Sequence, residues 1–289
     1  MGKLIELPGV KTWYEVEGNG DPLLLLHAMF CSNETWGAQR PDLSAAYQVF
    51  LPERRAHGHT GDVAGPLSYH DMASDTIDFL TMAVAKPAHL VGFSDGAIVA
   101  LLVAIARPDL VRKLVVIGGN FDVSGYLPEA YAMFDGMTPD DPHLADLRAQ
   151  YDAASPDGAG HWADVVAKLI DMFRREPHIP LEDLARIGAP TLVMVGDDDL
   201  FSMDHTVALW RAIPNSELAV VPGTSHALVW EKPQLVNRLI LDFLGNEPVA
   251  TILPMRRTEG TASSNRDSAK VTEASGSNTA TKVAMPQND

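Results

Sequence analysis

Residues 92–96 read Gly-Phe-Ser-Asp-Gly, a serine placed between two glycines in the pattern Gly-x-Ser-x-Gly. A short apolar run at 88–91 precedes the pattern, and a longer apolar run at 97–106 follows it. A serine on a sharp turn from a strand into a helix holds its hydroxyl group clear of the backbone, and the glycines relieve crowding at the turn. The pattern therefore predicts that Ser94 is a nucleophile. The structural alternative is a serine that caps the following helix.

A serine nucleophile needs a general base, and the base needs an acceptor that orients it. The apolar run 191–195 is followed by Gly-Asp-Asp-Asp at 196–199, and the run 217–221 is followed by a loop that ends in His226. Of the ten histidines, His226 is the one on a loop after a strand that follows these aspartates. The order serine, aspartate, histidine is that of one hydrolase architecture. The residues alone leave the acid open among the three aspartates, and a surface role is the alternative for each of these side chains.

Attack on a carbonyl carbon places negative charge on its oxygen, which fixed amide groups must stabilise. The backbone amide of Asp95, directly after the serine, is one candidate donor. The second candidate is the amide of Met29, on the loop that follows the apolar run 22–26. These two amides are the predicted oxyanion hole.

Together these motifs resemble those of the α/β-hydrolase superfamily, in the branch of small esterases, cofactor-free haloperoxidase-like enzymes and carbon–carbon bond hydrolases. The resemblance covers residues 10–245. Residues 27–30 resemble the family's His-Gly oxyanion loop, and residues 52–60 resemble its Asp-x-Arg-Gly-x-Gly-x-Ser loop. Residues 192–199 resemble the strand that carries the acid, where the last aspartate of the run holds that role. The resemblance therefore implies Asp199 as the acid of the triad.

Four residues depart from the family's patterns, and one of them is Cys31, at a loop position often held by glycine. Ala28 and Ala56 stand where glycine is usual, and Glu53 stands where aspartate is usual. An alanine side chain restricts the backbone more than glycine does. Since none of the four removes a catalytic group, the departures bear on the substrate range and not on the class of reaction.

Apolar runs and helical periodicity alternate along the chain, which predicts a mainly parallel sheet covered by helices on both faces. The predicted fold class is α/β, with the α/β-hydrolase fold. The predicted strands lie at 3–7, 10–16, 22–26, 47–51, 88–92, 112–117, 191–195 and 217–221. One predicted helix begins after Ser68. The others lie at 94–106, 128–135, 143–151, 161–174, 204–212 and 233–244.

The alternation is interrupted between residues 120 and 180, where helical pieces occur without a strand. We interpret 120–180 as a small helical cap, with 1–119 and 181–250 as the hydrolase core. The tail at 251–289 contains no Phe, Trp or Tyr and is rich in Ser, Thr, Ala and Asn. Such a segment buries too little apolar surface to offset the entropy of ordering, so we expect it to be disordered.

Composition excludes several classes of partner. Among 289 residues, Lys and Arg number 22 against 38 Asp and Glu, a formal net charge of −16, which disfavours nucleic acid and anionic membranes. A single cysteine, Cys31, excludes an internal disulfide, and the N-terminus shows no secretory signal, so we expect a cytoplasmic protein. His57 and His59 have a spacing that could bind zinc. The family resemblance accounts for them as a structural loop, and we expect no metal and no cofactor.

The resulting hypothesis is a metal-independent serine hydrolase that acts on small, rather hydrophobic carboxylic esters or lactones. Carbon–carbon hydrolysis, thioester hydrolysis and perhydrolysis on the same triad remain alternatives, as does a ligand receptor that retains the triad. The oligomeric state stays open. The candidate residues of the substrate pocket flank the catalytic loops or lie in the cap: Ala28, Phe30, Phe93, Phe134, Trp162 and Trp230.

Overall fold

Eight strands of the computed structural model, which describes residues 2–247 and 251–253, form one sheet in the order β1-β2-β4-β3-β5-β6-β7-β8. The strands are β1 (Lys3–Leu7), β2 (Val10–Glu17), β3 (Pro22–Leu26), β4 (Gln48–Pro52), β5 (Ala88–Phe93), β6 (Val111–Ile117), β7 (Thr191–Asp198) and β8 (Ser216–Ser225). The β1–β2 and β2–β4 pairs are antiparallel, and every other neighbouring pair is parallel. The predicted fold class is confirmed. The predicted disorder at 251–289 lies outside the described residues except at 251–253, where Ile252 and Leu253 are exposed.

Ten α-helices accompany these strands in the described part of the chain. They are α1 (Arg40–Ser44), α2 (Tyr69–Phe79), α3 (Asp95–Ala106), α4 (Pro128–Asp135), α5 (Ala145–Ala154), α6 (Trp162–Arg175), α7 (Leu181–Leu184), α8 (Met203–Ala212), α9 (Leu228–Glu231) and α10 (Pro233–Gly245). The sequence did not predict the short helices α1, α7 and α9. Each spans four or five residues, too few for an apolar periodicity to repeat.

Helices cover both faces of the sheet because successive side chains of a strand point to opposite faces. In β3, Leu24 and Leu26 pack into the apolar core that contains α3, whereas Leu23 and Leu25 pack into the core that contains α10. All four leucines are buried. A strand that is apolar at every position is what a doubly covered parallel sheet requires.

Residues 120–180, which we call the cap segment, follow β6 and hold α4, α5 and α6. The bounds of the three predicted helical pieces lie within three residues of those of these helices. Helix α6 buries one face, including Val166, Leu169 and Phe173, and leaves basic and acidic residues on the other. The segment is anchored to the core through Asp62, whose carboxylate accepts hydrogen bonds from Lys168 and His161. That this segment acts as a cap over the sheet edge remains our interpretation.

Four of the described residues other than glycine have a left-handed backbone, with φ of 60° at Phe30, 63° at Ala56, 56° at Ala85 and 55° at Ser94. Such a conformation costs a residue with a side chain about 1–2 kcal/mol. Ala28 is not among them, so the alanine that replaces a usual glycine there is tolerated. At Ala56 the replacement does place an alanine in a region that favours glycine.

Ala85→Gly should stabilise the protein. Ala85 is exposed, and it ends the π-helical turn Leu80–Val84 with a hydrogen bond from its amide to the Leu80 carbonyl. Glycine removes the left-handed strain from the folded state. It also raises the conformational entropy of the unfolded chain, which offsets part of this effect, so we expect about 0.5–1 kcal/mol of added stability. Thermal and urea unfolding measure it. The control, Ala149→Gly at an exposed position inside α5, should lose about 1 kcal/mol. A loss of stability in both variants would contradict the strain argument.

Candidate active site

Ser94 lies between the last residue of β5 and the first residue of α3, with φ 55° and ψ −120°. A Cβ atom at Gly92 would lie 2.2 Å from the carbonyl oxygen of Gly96, and one at Gly96 would lie 2.1 Å from that of Leu26. Both positions therefore exclude any side chain. Ser94 makes no side-chain capping hydrogen bond to α3. Its hydroxyl group therefore does not cap the helix, which was the structural alternative for this serine.

The Ser94 hydroxyl lies within hydrogen-bond distance of His226, with 3.0 Å between Oγ and Nε2. The other ring nitrogen, Nδ1, lies 2.8 Å from Oδ1 of Asp199. The Asp199 side chain is 1% exposed and that of His226 is 17% exposed. The three side chains named by the sequence motifs form one hydrogen-bonded chain.

Only one of the three consecutive aspartates contacts His226. Asp199 accepts hydrogen bonds from the backbone amides of Leu200, at 2.7 Å, and Gly196, at 3.4 Å, which fix its carboxylate. Asp197 instead accepts from the Thr224 amide at 3.0 Å, and Asp198 is exposed. Asp199 is thus the aspartate of the three that lies against His226, and it is the one that comes after the end of β7.

The imidazole of His226 is enclosed by residues from three strand ends. Gly118 follows β6, and a Cβ atom there would lie 2.9 Å from Cε1 of His226. The Phe93 ring centroid lies 5.2 Å from that of His226 on one side, and the Phe201 centroid lies 5.7 Å away. The ring is therefore held by packing as well as by its two hydrogen bonds.

The predicted amide donors lie at the expected junctions. The Asp95 amide is the first of α3, where no helical carbonyl can accept from it. Residues 28–31 form a turn closed by the Cys31 amide and the Ala28 carbonyl at 3.3 Å, with Phe30 in the left-handed region. Met29 occupies the second position of this turn, where its amide is not used by the closing bond. Both amides remain predicted donors.

The Asp95 side chain is 2% exposed and belongs to a buried polar group that the sequence did not reveal. Burial raises the pKa of Asp95, while the nearby Arg54 guanidinium and a hydrogen bond from Tyr69 lower it. Burial raises the pKa of Tyr69 well above its ordinary value. No local sequence signal marks this group, because its members come from separate elements.

The six pocket candidates are only partly brought together. Phe30 faces Trp162 of the cap segment, with 5.9 Å between ring centroids, and Trp162 is buried. Trp230 is 48% exposed and packs edge-on against Phe93 at 5.5 Å. Phe134 lies half-buried on α4, and its ring packs against Tyr126 and Phe173. Ala28 and Phe93 are buried in the core on the α10 side of the sheet.

The residues considered for zinc have other partners. His57 Nδ1 lies 2.9 Å from the Arg55 carbonyl oxygen, and burial lowers the pKa of this ring to about 3. His59 Nδ1 lies 3.1 Å from Oε2 of the buried Glu53. Within the described ranges no three His, Cys, Asp or Glu side chains are placed to hold one metal ion. Likewise, none of the described helices has the length and apolar character needed to cross a membrane.

His205 supports the loop that carries Asp199. Its ring stacks on Phe121 with centroids 4.0 Å apart, and its Nε2 accepts a hydrogen bond from the Phe121 amide at 3.2 Å. The ring of Phe201 neighbours both this ring, with 6.4 Å between centroids, and that of His226, with 5.7 Å. Burial lowers the pKa of His205 to about 4, against the effect of Asp122. The ring is therefore held neutral by the fold.

Comparison with known proteins identifies a matching family and similar proteins whose names describe different hydrolytic reactions. The alpha/beta hydrolase family model matches residues 23–239. The human "Serine hydrolase BPHL" is 28% identical over 252 residues, covering 83% of this chain and 85% of that protein. A "2-hydroxy-6-oxononadienedioate/2-hydroxy-6-oxononatrienedioate hydrolase" of Cupriavidus pinatubonensis is 27% identical over 263 residues, covering 83% and 84%. A thermophilic esterase from Thermogutta terrifontis shares the fold, with a TM-score of 0.68 at 24% identity over 84% of this chain and 98% of its own.

Stability should fall on acidification partly through His205. The folded-state pKa near 4 lies below the unfolded value of about 6.5, so the unfolded chain binds the proton first. The contribution is complete above pH 6.5 and is lost as the pH falls toward 4. Between pH 7.5 and 5.5 we expect wild type to lose about 1 kcal/mol more than His205→Gln, after allowing for partial solvent access.

Urea unfolding at the two pH values measures this difference. The side-chain oxygen of glutamine can still accept a hydrogen bond from the Phe121 amide, so the variant should fold. His70→Gln, at an exposed position on α2, is the matched control and should keep the wild-type pH dependence. An unchanged pH dependence in His205→Gln would contradict the assignment of a neutral, buried ring.

Proposed function

The chain belongs to the alpha/beta hydrolase family, and from that premise we propose that it is a serine hydrolase of small, predominantly apolar carboxylic esters or lactones. The observation that carries the proposal is the hydrogen-bonded chain from Ser94 through His226 to Asp199, at 3.0 and 2.8 Å. This arrangement has the distances that a nucleophile, a base and an orienting acid require.

In the first half-reaction, Ser94 Oγ attacks the carbonyl carbon of the ester while His226 Nε2 accepts the serine proton. The carbonyl π electrons move to the oxygen, and the amides of Met29 and Asp95 donate to the resulting oxyanion. The oxyanion then collapses and the bond to the leaving oxygen breaks. His226 gives its proton to that oxygen, and an acyl-enzyme remains on Ser94.

In the second half-reaction, water attacks the acyl carbon and His226 Nε2 accepts a proton from it. The tetrahedral intermediate collapses, the bond to Ser94 Oγ breaks, and the serine recovers its proton from His226. Asp199 keeps Nδ1 of His226 protonated and facing away from Ser94. No step requires a group beyond this chain, the substrate and water.

The charge pattern of the cap segment favours a neutral acyl group. Each lysine and arginine between residues 120 and 180 forms an ion pair with a carboxylate. The pairs are Arg148 with Asp140, Lys168 with Asp62, Arg174 with Asp135 and Arg175 with Asp171. A substrate carboxylate entering from this side would have to displace one of these acids, because burying it unpaired is costly.

Carbon–carbon bond hydrolysis is the second candidate, favoured by the name of the Cupriavidus pinatubonensis relative. That name describes a dioate, which carries two carboxylates. The pairing of the basic residues in the cap segment argues against such a substrate here, although the Ser94–His226–Asp199 chain itself would serve either reaction. Ester cleavage is therefore the function that the described residues support best.

Asp199→Asn should lower kcat for an activated ester by about 10⁴-fold, because the amide no longer fixes the tautomer and orientation of His226. Asp198→Asn is the matched control, since Asp198 is exposed and adjacent, and it should stay within about twofold of wild type. Steady-state rates of both variants measure the contrast. Equal losses, or near-normal turnover by Asp199→Asn, would contradict the assigned acid.

A substrate panel should rank neutral esters above dianions. We expect kcat/KM for a p-nitrophenyl butyrate-sized ester to exceed that for a 2-hydroxy-6-oxo-dienedioate by about 10²-fold or more, since the second substrate buries an unpaired carboxylate. Lactones of similar size should fall between them. The reverse ranking would favour carbon–carbon hydrolysis. One product released per chain without further turnover would indicate a ligand receptor instead.

A further inference from the structure

Arg54 is a buried guanidinium that lies beside the predicted oxyanion loop. It comes two residues after β4 and is 5% exposed. Because β4 and β3 are parallel neighbours, residues that follow both strands meet at one edge of the sheet. Arg54 there contacts His27 and Ala28, the first two residues after β3.

The contacts of Arg54 converge on two successive carbonyl groups. Its Nη2 donates to the His27 carbonyl at 2.8 Å and to the Ala28 carbonyl at 3.0 Å. Its backbone amide donates to Nε2 of His27 at 3.1 Å. This leaves the proton of the neutral His27 ring on Nδ1, which donates to the Ala28 carbonyl at 2.9 Å. The Ala28 carbonyl is thus held by His27 and Arg54, and also by the Cys31 amide.

A carbonyl held in this way fixes the amide that follows it. The Ala28 carbonyl and the Met29 amide belong to one planar trans peptide, so they point in opposite directions. With the Ala28 carbonyl turned toward Arg54, the Met29 amide must point away from Arg54. The loop also lies directly against the start of α3, since a Cβ atom at Gly96 would be 2.7 Å from the His27 carbonyl oxygen.

We propose that Arg54 is a positioning residue that aims the Met29 amide at the oxyanion formed on Ser94. The inference rests on the proposed function, because it needs that amide to serve as an oxyanion donor. Arg54 acts through the peptide between Ala28 and Met29 and does not itself touch the substrate.

The cost of burying Arg54 supports a specific role. Among the described residues no carboxylate oxygen lies within 4 Å of its guanidinium, and the largest compensating effect is that of Asp95, which acts through space. Burial lowers the pKa of Arg54. Burying a charge without a close partner costs several kcal/mol. An apolar side chain would fill the same space at lower cost but could not hold two carbonyls at once.

The neighbouring Arg55 offers a matched control. Its guanidinium binds Asp75 of α2 through two hydrogen bonds of 2.7 Å and makes no hydrogen bond to the 27–31 loop among the described contacts. Arg54→Met and Arg55→Met therefore remove adjacent guanidinium groups with different partners. Both substitutions keep a long, flexible apolar side chain in place.

The experiment measures kcat, KM and the Kd of an alkylboronic acid whose chain matches the best ester. The serine oxygen adds to boron and forms a tetrahedral anion, which needs the oxyanion donors. Arg54→Met should lower kcat by about 10- to 100-fold with KM within about twofold, and should weaken boronate binding by a similar factor. Arg55→Met should keep kcat and boronate affinity within about twofold of wild type.

The proposal is overturned if Arg54→Met keeps kcat and boronate affinity within about twofold, or if Arg55→Met loses both equally. Should Arg54→Met fail to fold, Arg54→Lys replaces it. Lysine keeps the positive charge but lacks the planar guanidinium that holds two carbonyls, so Arg54→Lys should show smaller losses of kcat and of boronate affinity. Wild-type values in Arg54→Lys would equally overturn the proposal. Ser94→Ala separates the two hypotheses, because turnover that survives in it removes the serine mechanism whatever Arg54 does.

Discussion

The left-handed backbone at Ser94 is the constraint on which the rest of the site depends. At φ 55° the serine turns its hydroxyl group out of both β5 and α3, toward His226 at 3.0 Å. A strained residue persists only where its surroundings determine it fully. Here Gly92 and Gly96 let β5, α3 and β3 approach within distances that exclude side chains, and the Ser94 amide is bound by the Ile117 carbonyl of β6 at 2.9 Å.

The parallel sheet turns this local constraint into a site because the loops after four of its strands lie together at one edge. The loops after β3, β5, β7 and β8 supply the Met29 amide, Ser94, Asp199 and His226. The strands β3, β5 and β7 are apolar and buried along nearly their whole length, whereas β8 lies at the edge of the sheet and is only partly buried. Arg54 follows β4 at the same edge, so the proposed positioning residue reaches the loop at 27–31 through the same strand order that brings Ser94 to His226. The chemistry is thus assembled by strand order rather than by proximity in sequence.

The sequence predicts the elements and residues that have local signals. Ser94 is marked by its glycines and flanking apolar runs, and His226 by its place after the last strand. The structure extends β8 to Ser225, because β7 pairs with it as far as Asp198 and Ser225. Without the family resemblance, the choice among three aspartates could not be made from the residues, since it depends on where β7 ends.

Arg54 and His205 could not be predicted in their roles, because their partners lie far along the chain and are backbone groups. Arg54 binds carbonyls 26 and 27 residues away, and His205 accepts from an amide 84 residues away. Because nearly every residue carries the same backbone amide and carbonyl groups, the residue type of a backbone partner gives no signal in the sequence. Ser94, His226 and Asp199 could be predicted as a catalytic triad because side-chain chemistry itself limits which residue types can serve.

Covalent labelling tests the central claim most directly. The full chain is treated with a fluorophosphonate, and the modified residue is located by peptide mass spectrometry. We expect one phosphonyl group per chain, on Ser94 in the peptide that contains residues 92–96, with loss of ester turnover in proportion to labelling. Ser94→Ala should remain unlabelled. Complete labelling at another residue, or ester turnover that continues in fully labelled protein, would contradict the account.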